Sequence, residues 1–283
     1  MKYLNLGCGN RYHPDWTNIN FISTGEGVIA HNLQLGIPFS DSSFNVIYHS
    51  HVLEHFSKTE AEPFIKESYR VLRPQGILRV VVPDLEEIAR VYLKTLDKVS
   101  AGFEEEISNY EWILLEMYDQ TVRNKPGGEM ISFLSRQNFS NQDFVIKRCG
   151  IEIENIIRSA QKQNLFLNST EESGFKKILK HIYRLLRYPN YRHQAILELL
   201  LSSTELNALR IGQFRQSGEV HQWMYDRYSL KRLLEDCGFI DIKQYAANTS
   251  SIPNWTSFNL DTEPDGAVYK PDSLYMEATK PNP

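Results

Sequence analysis

Short apolar runs, separated by helical patterns or turn residues, occupy the first third of the chain. Five of these runs predict β-strands, over residues 2–6, 18–22, 28–30, 45–49 and 77–82. The last run is almost continuously apolar, which is typical of a central parallel strand. A helix is predicted over 59–72, and the turn residues Arg73-Pro74-Gln75-Gly76 end it before the last strand begins. This order predicts a βαβ unit and therefore an α/β fold with a mostly parallel sheet.

Helical patterns dominate the middle of the chain, from Asp84 to about residue 215. Asp84 is a candidate N-cap with Glu87 three residues later, a variant of the capping box. Further helices are predicted over 104–123, 151–163, 174–188 and 195–210. We therefore expect a helical insertion that interrupts the sheet.

Strand patterns return after these helices. Ser229 is a candidate cap for a short helix over 230–236, which Gly238 would end in a left-handed conformation. Strands are predicted over 239–246 and 273–278. The expected organisation is one α/β domain formed by residues 1–89 and 216–283, with residues 90–215 as a helical insertion or cap.

Composition narrows the class of protein. The chain has 283 residues, of which 41% are hydrophobic and 23% charged, as in ordinary globular proteins. A net charge of −4 disfavours nucleic acid as a partner. The 3 cysteines, Cys8, Cys149 and Cys237, lie far apart without metal-ligand spacing, which favours a reduced, cytoplasmic setting. No secretory leader and no membrane-spanning apolar run is recognisable.

A glycine turn follows the first predicted strand directly, in Leu6-Gly7-Cys8-Gly9. Glycines at the carboxyl end of a first parallel strand allow close approach of a ligand, where open α/β sheets bind nucleotides. The third glycine of the dinucleotide fingerprint is missing, and Asn20 follows too soon for a helix plus a strand. A nicotinamide site is therefore disfavoured, and a plain tight turn remains the alternative.

Several further segments occur in a fixed order after this turn. They are 37–44 (IPFSDSSF), 52–55 (VLEH), 69–76 (YRVLRPQG) and 228–239, which ends in Cys237-Gly238-Phe239. With the glycine turn, this series resembles class I S-adenosylmethionine-dependent methyltransferases over roughly residues 1–90 and 216–283. Segments 48–55, 218–227 and 269–274 are similar to a bacterial branch associated with glycan or secondary-metabolite pathways.

The resemblance implies a Rossmann-like sheet whose last strand is antiparallel, and S-adenosylmethionine as cofactor. It places the methyl acceptor, a small molecule or glycan, between the insertion and the sheet, with oxygen favoured and nitrogen or carbon open. The implied cofactor-binding residues are Gly7, Cys8, Gly9, Asn20, Asn32, Leu33, His49, Ser50 and His55. Glu219, Tyr225, Asp226 and Arg227 rejoin the sheet after the insertion and are candidate substrate residues.

Four asparagines stand where the resembled family usually has acids: Asn5, Asn20, Asn32 and Asn45. An amide still forms hydrogen bonds, but it lacks the charge-assisted strength of a carboxylate towards a ribose hydroxyl. Cofactor binding is therefore expected to be weakened. A methyltransferase-like binding or scaffold protein with lost catalysis is the alternative function.

Histidines are the candidate general bases. His51 and His221 could accept the proton of an attacking hydroxyl near neutral pH, although a purely structural role is the alternative for each. His51-Val52-Leu53-Glu54-His55 also fits a zinc-protease pattern, which needs a long helix and a further ligand. No metal is predicted, and a weakly bound divalent ion beside the cofactor is left as an alternative.

Basic residues surround an apolar stripe within residues 174–192. A basic amphipathic helix can lie on an anionic membrane surface, although most such helices only face solvent. Weak peripheral membrane contact through 174–192 is therefore a possible interaction of the insertion.

Overall fold

One sheet organises the structure, a computed structural model that describes residues 1–136, 140–166, 183–184 and 187–283. Its strands within those residues are β1 (Tyr3–Leu6), β2 (Thr17–Asn20), β3 (Val28–Ala30), β4 (Phe44–Ser50), β5 (Leu72–Pro83), β6 (Ile240–Tyr245) and β7 (Ser273–Thr279). The order is β3-β2-β1-β4-β5-β7-β6. Neighbours are parallel except around β7, which is antiparallel to both β5 and β6. The predicted Rossmann-like fold of the methyltransferase type is confirmed.

Helices cover this sheet and fill the insertion. Those of the described residues are α1 (Lys58–Val71), α2 (Leu85–Ser100), α3 (Ile107–Val122), α4 (Gly128–Leu134), α5 (Gln142–Phe166), α6 (Pro189–Leu200), α7 (Ser203–Arg215) and α8 (Arg227–Asp236). Asp84 caps α2 as predicted, because its side chain accepts the N–H groups of Glu86 and Glu87. Within the described ranges, no helix is both long and apolar enough to cross a bilayer.

Two helix predictions are corrected by the structure. The single helix expected over 195–210 is wrong, because extended backbone at Leu201 separates α6 from α7 and Ser202 starts α7 with its own capping box. The cap of α8 is Asp226, and Ser229 is its partner one turn later. Most of the helix predicted over 174–188, and with it the segment proposed for membrane contact, lies outside the described residues.

The strand order reverses between β1 and β4. These two strands are neighbours, with Leu6 opposite His49, while β2 and β3 continue on one side and β5 on the other. Open α/β sheets bind ligands at the carboxyl ends of the strands beside such a reversal. The residues that follow β1 and β4, which are Gly7 and His51, therefore meet at the expected binding edge.

Three apolar clusters hold these elements together. The first joins β1, β4 and β5 to α1 and α8. The second covers the other face of the sheet and contains the aromatic residues Trp16, Tyr48 and Trp255, whose rings meet edge-to-face or tilted. The third lies within the insertion, around Trp112 and Phe133. The insertion thus has an apolar core of its own, while the predicted boundaries of the two domains stay a prediction.

Candidate active site

The glycine turn after β1 has two different glycines. Gly7 and Gly9 both adopt left-handed backbone, with φ of +66° and +53°. A Cβ on Gly7 would lie 2.3 Å from Cγ2 of Val52, whereas no atom lies within 4 Å of a Cβ on Gly9. Gly7 is therefore required by packing, while Gly9 leaves open space. Between them, burial raises the pKa of the Cys8 thiol to about 11, so this cysteine is protonated and unreactive at neutral pH.

A cavity of about 520 Å³ opens beside Gly7. Its volume lies within the range of small-molecule sites, roughly 300–1,000 Å³. The residues that line it include Gly7, Asn20, Asn32, Leu33, His51, His55 and Phe56. The structure thus brings together five of the predicted cofactor-binding residues, from β1, β2, the segment after β3 and the turn after β4.

Two of the four asparagines line this cavity. Asn20 accepts the N–H of Gly9 at 3.3 Å and donates to the carbonyl of Ile22 at 3.0 Å. Asn32 accepts the N–H of Gln34 at 3.0 Å and caps a short 3-10 helix, Leu33–Leu35. For a ligand, the Asn20 amide keeps one N–H and one lone pair, and the Asn32 amide keeps both N–H groups and one lone pair.

The other two asparagines have structural contacts. Asn5 is buried and donates to the carbonyl of Arg11 and to Oδ1 of Asn18. It also lines the second cavity, which is described next. Asn45 accepts the backbone N–H of Lys2 at 2.9 Å, near the start of β4 and so at the opposite end of the sheet from the cavity. An amide at position 45 therefore fastens the sheet and contacts no part of the candidate site.

A second cavity of about 360 Å³ shares Gly7 and His51 with the first. Cys8, Gly9, Ser50, Arg11 and Lys270 also line it. Its two basic side chains are both neutralised: Arg11 forms an ion pair with Glu263 at 2.8 Å, and Lys270 forms one with Glu152 at 2.9 Å. This cavity is therefore polar without a free charge.

A third cavity, of about 170 Å³, lies where α3, α4 and α5 approach the sheet edge. It shares His51 and Glu152 with the second cavity, and Glu116, Arg123 and Asp272 also line it. His51 is thus a wall of all three cavities. The space that these cavities outline lies between the insertion and the sheet.

His51 is held by three contacts. Its left-handed backbone, with φ of +53°, is fixed by an N–H···O bond of 2.9 Å to Val81 of β5. Nε2 lies 2.9 Å from the Ser273 hydroxyl, and Nδ1 lies 3.3 Å from Oε1 of Glu54. A carboxylate on one side of an imidazole orients the ring and stabilises its protonated form, which suits a general base.

Glu54 is the centre of a buried group of histidines. Its side chain is fully buried, 3.3 Å from His51 and 4.0 Å from Nε2 of His221. The rings of His55 and His221 are 4.8 Å apart and nearly perpendicular. Burial alone would raise the pKa of Glu54, but the neighbouring His51 imidazole holds this pKa below the usual range of a carboxyl group. Glu54 is therefore ionised.

His221 differs from His51 in its surroundings. It is almost fully buried, its backbone N–H donates to Gln120 of α3 at 2.9 Å, and burial lowers its pKa to about 3. An imidazole with so low a pKa is a weak base at neutral pH. Burial also lowers the pKa of His55, so both rings of this pair are neutral.

His49 is buried inside the sheet rather than at its edge. The ring packs 5.2 Å from Phe64 of α1, neither ring nitrogen has a hydrogen-bond partner, and burial lowers its pKa to about 4. Of the two histidines at the end of β4, only His51 lines the cavities described above.

The four predicted substrate residues have contacts of their own. Tyr225 is buried in the first apolar cluster, and Asp226 caps α8. Arg227 forms an exposed ion pair with Glu86 at 3.0 Å, and Glu219 accepts the N–H of Gly127 in the insertion at 3.0 Å. None of these four side chains is among the residues that line the three cavities.

Sequence reasoning did not identify two parts of this site. Glu54 belongs to the methyltransferase-like segment 52–55 and to the protease pattern, but neither assigns it a role in the predicted site. It lies in a single 3-10 turn, Leu53–His55, rather than a long helix. A glutamate between two histidines was the signal that could have found it. Ser273, the hydroxyl partner of His51, lies more than 200 residues away in sequence, and no local pattern marks it.

Comparison with known proteins agrees with this geometry. The family model described as a methyltransferase domain matches residues 16–80, which span β2 to the middle of β5 and include the His51 to His55 turn. No protein with a curated description matches the chain. The match and the sheet topology indicate that this part of the chain is similar to a methyltransferase domain. They do not distinguish the glycan or secondary-metabolite branch.

Solved structures resemble the chain at low identity and low TM-score. The cyclase SpnF is 21% identical over 28% of this chain and 38% of its own, with a TM-score of 0.24. A protein from Pyrococcus horikoshii OT3 is 20% identical over 31% of this chain and 52% of its own, with a TM-score of 0.26. A SAM-dependent methyltransferase from Archaeoglobus fulgidus is 10% identical over 99% of this chain and 86% of its own, with a TM-score of 0.38. The chain thus spans about half or less of the length of the first two structures. With TM-scores this low, nothing about substrate or reaction is inferred from these structures.

Proposed function

We propose that this chain transfers a methyl group from S-adenosylmethionine to an oxygen of a sugar or small-metabolite acceptor. One observation carries the proposal: Gly7 and His51, at the strand-order reversal, line both the 520 Å³ cavity and the 360 Å³ cavity. A cofactor in the larger cavity and an acceptor in the smaller one would meet beside His51. The methyltransferase domain match over residues 16–80 supports the same chemistry.

The larger cavity has the features that the cofactor needs. Asn20 and Asn32 offer amide hydrogen bonds to a ribose and a base, and Leu33 and Phe56 supply apolar walls. Gly9 lines the adjoining smaller cavity, where the open space above it lets a ligand approach the backbone. S-adenosylmethionine supplies an activated methyl group on a positively charged sulfur. The residues of this chain therefore have to bind and orient the two reactants and exclude water.

His51 would accept the proton of the acceptor hydroxyl at Nε2, where it now meets the Ser273 hydroxyl. Glu54, 3.3 Å from Nδ1, would stabilise the resulting imidazolium. His221 is a poorer candidate base, because burial lowers its pKa to about 3. Because Arg11 and Lys270 are already paired with carboxylates, the second cavity favours a neutral, hydroxyl-bearing acceptor over an anion.

The test begins with cofactor binding. Isothermal titration of the full chain with S-adenosylhomocysteine should give a saturable one-to-one isotherm. A screen of sugars, phenols and glycan intermediates, monitored by S-adenosylhomocysteine release, then supplies an acceptor. His51→Ala should lower turnover by about 100-fold or more with little change in cofactor affinity, because a general base acts in the transition state.

His193→Ala is the matched control, because His193 is an exposed histidine on α6 that lines none of these cavities. It should change neither the turnover nor the cofactor affinity. Failure of the folded wild type to bind S-adenosylhomocysteine would contradict the proposal. Binding without turnover over the whole screen would favour the binding or scaffold protein instead.

A further inference from the structure

Glu54, His55 and His221 form a compact set of metal-ligand side chains. One carboxylate oxygen of Glu54 and one ring nitrogen of each histidine lie within 4.8 Å of one another. Glu54 is fully buried and His221 is 7% exposed. Both carboxylate oxygens of Glu54 and Nδ1 of His55 lack a hydrogen-bond partner. A buried carboxylate without a hydrogen-bond donor is costly unless another group binds it.

We propose that these three residues bind one divalent transition-metal ion of the zinc type. Two imidazoles and one carboxylate are the donor set that such ions take in open, three-residue sites. The negative charge of Glu54 would be compensated directly by the ion, and two neutral imidazoles would complete the set. This inference goes beyond methyl transfer and does not depend on it.

The backbone fixes the three ligands from separate parts of the fold. The 3-10 turn after β4 places Glu54 and His55 side by side. The carbonyl of Glu54 accepts the N–H groups of Gln222 and Trp223, at 2.7 and 3.2 Å, which holds the His221 segment against this turn. The bond from the His221 N–H to Gln120 ties the same segment to α3. The ligand set therefore does not rely on flexible side chains alone.

The groups around the set are compatible with a cation. His51 lies 3.3 Å from Oε1 of Glu54 and could hold that carboxylate in a coordinating orientation. Arg123 is the nearby positive charge, and its guanidinium is paired with Glu219, 3.6 Å from the carboxylate and 2.8 Å from the backbone carbonyl. His55 and His51 both line the 520 Å³ cavity, which gives an ion a route to the site.

A second set of donor atoms, Glu116, Cys149 and Asp272, also lies within 4.8 Å of one another. The Arg148 guanidinium, however, is 2.7 Å from the Glu116 carboxylate and already compensates its charge. Burial raises the pKa of the Cys149 thiol well above its usual range, which disfavours the thiolate that a metal would need. The Glu54 set is therefore the stronger site, and the Glu116 set becomes an outcome of the test.

The experiment uses the full chain, stripped with a chelator and titrated with Zn²⁺ against a chromophoric competitor. We expect one ion per chain, a higher melting temperature with Zn²⁺, and visible absorption bands when Co²⁺ replaces it. Glu54→Gln and His221→Ala should each weaken Zn²⁺ binding by about 10- to 100-fold and remove the Zn²⁺-dependent thermal shift. His193→Ala should behave as the wild type, because it removes an exposed histidine outside the set.

Circular dichroism of each stripped variant separates lost binding from lost folding. If His221→Ala fails to fold, the near-isosteric Glu54→Gln decides the outcome. The proposal is overturned if the stripped wild type binds no stoichiometric Zn²⁺ or Co²⁺, or if both variants bind as the wild type does. Loss of binding in Cys149→Ser alone would place the ion at Glu116 instead. No cofactor or acceptor is present in this titration, so its result is independent of the proposed methyl transfer.

Discussion

Two buried clusters of charged side chains lie against the same sheet, one around Arg79 and one around Glu54. They differ in how many of their polar groups have a hydrogen-bond partner. Around Arg79 of β5, Nε donates to Asp261 at 2.8 Å, one terminal nitrogen donates to Glu277 at 2.7 Å, and the remaining donors meet backbone carbonyls. Around Glu54, the carboxylate has histidines nearby but no hydrogen bond of its own. Both clusters are removed from solvent, so the difference between them is the number of satisfied groups.

That difference separates a structural network from a site. Asp261 and Glu277 are held by Arg79 in one arrangement that fastens the loop after β6 and strand β7 to β5. A buried polar network with every member satisfied makes a fold specific and rigid. An incomplete one retains binding capacity for something else. The incomplete cluster is also the one that borders the cavities, through His51 and His55.

Removing Arg79 should have the largest effect on stability. Arg79→Met leaves the Asp261 and Glu277 carboxylates buried without their main partner, so the free energy of unfolding should fall by about 3–5 kcal/mol. In chelator-treated protein, Glu54→Gln should cost much less, because that carboxylate has no hydrogen bond to lose. Urea unfolding followed by circular dichroism measures both.

Arg90→Met is the control for losing an arginine. Its ion pair with Glu86 on α2, at 2.7 Å, is exposed and screened by solvent, so the free energy of unfolding should change little. Equal losses in Arg79→Met and Glu54→Gln would show that the two clusters are structurally equivalent and would remove the basis for the comparison.

The next largest expected effect on stability comes from His49. It tests whether this histidine belongs to the cluster around Glu54. Burial lowers its pKa to about 4 from an ordinary value near 6.5, so the unfolded chain binds a proton between these pH values that the folded chain does not. Stability should therefore fall as the pH drops from 6.5 towards 4, with His49 contributing a loss on the order of 3 kcal/mol. His49→Leu should reduce this loss and leave the melting temperature at pH 7.5 unchanged or higher.

The same variant tests whether His49 belongs to the cofactor site. The His49 ring packs against Phe64 of α1, between the sheet and this helix. His49→Leu should therefore leave S-adenosylhomocysteine affinity unchanged. Thermal unfolding at several pH values and calorimetric titration give the two readouts. A loss of affinity in a variant of normal stability would return His49 to the cofactor-binding residues.

Local patterns predicted the sheet but not the completeness of either cluster. The strands and α1 follow from apolar runs and turn residues, which act over a few positions, and so does the Asp84 cap. The break at Leu201 does not follow from the apolar pattern, which continues across it, whereas the capping box at Ser202 starts a new helix. The contacts of Glu54 with His221, and of His51 with Ser273, join segments that only the tertiary fold brings together.

The four asparagines at normally acidic positions also show that local sequence does not determine tertiary contacts. The family resemblance treats all four as changes at a ligand site. Asn20 and Asn32 line the 520 Å³ cavity and the buried Asn5 lines the 360 Å³ cavity, whereas Asn45 contacts Lys2 at the opposite end of the sheet. The sequence therefore shows that an asparagine replaces the usual acid. Whether that change affects a ligand depends on which end of the strand the residue occupies.

The smallest expected effect comes from restoring a charge at Asn20. Asn20→Asp keeps an acceptor for the Gly9 N–H and gives a carboxylate that forms stronger hydrogen bonds to ribose hydroxyls, about 1.5–3 kcal/mol against about 1 for a neutral pair. It loses the bond of 3.0 Å to the Ile22 carbonyl, which is a smaller loss because that segment is exposed to water. The net result should be tighter binding of S-adenosylhomocysteine, by a few-fold, in calorimetric titration.

Asn45→Asp is the matched control, because it makes the same change near the start of β4, where it contacts Lys2, and should leave affinity unchanged. Weaker binding in Asn20→Asp at normal stability would mean that the amide at position 20 is matched to a ligand other than a ribose. Equal tightening in both variants would make the effect one of overall charge, and Asn20 would then lose its assignment to the cofactor site.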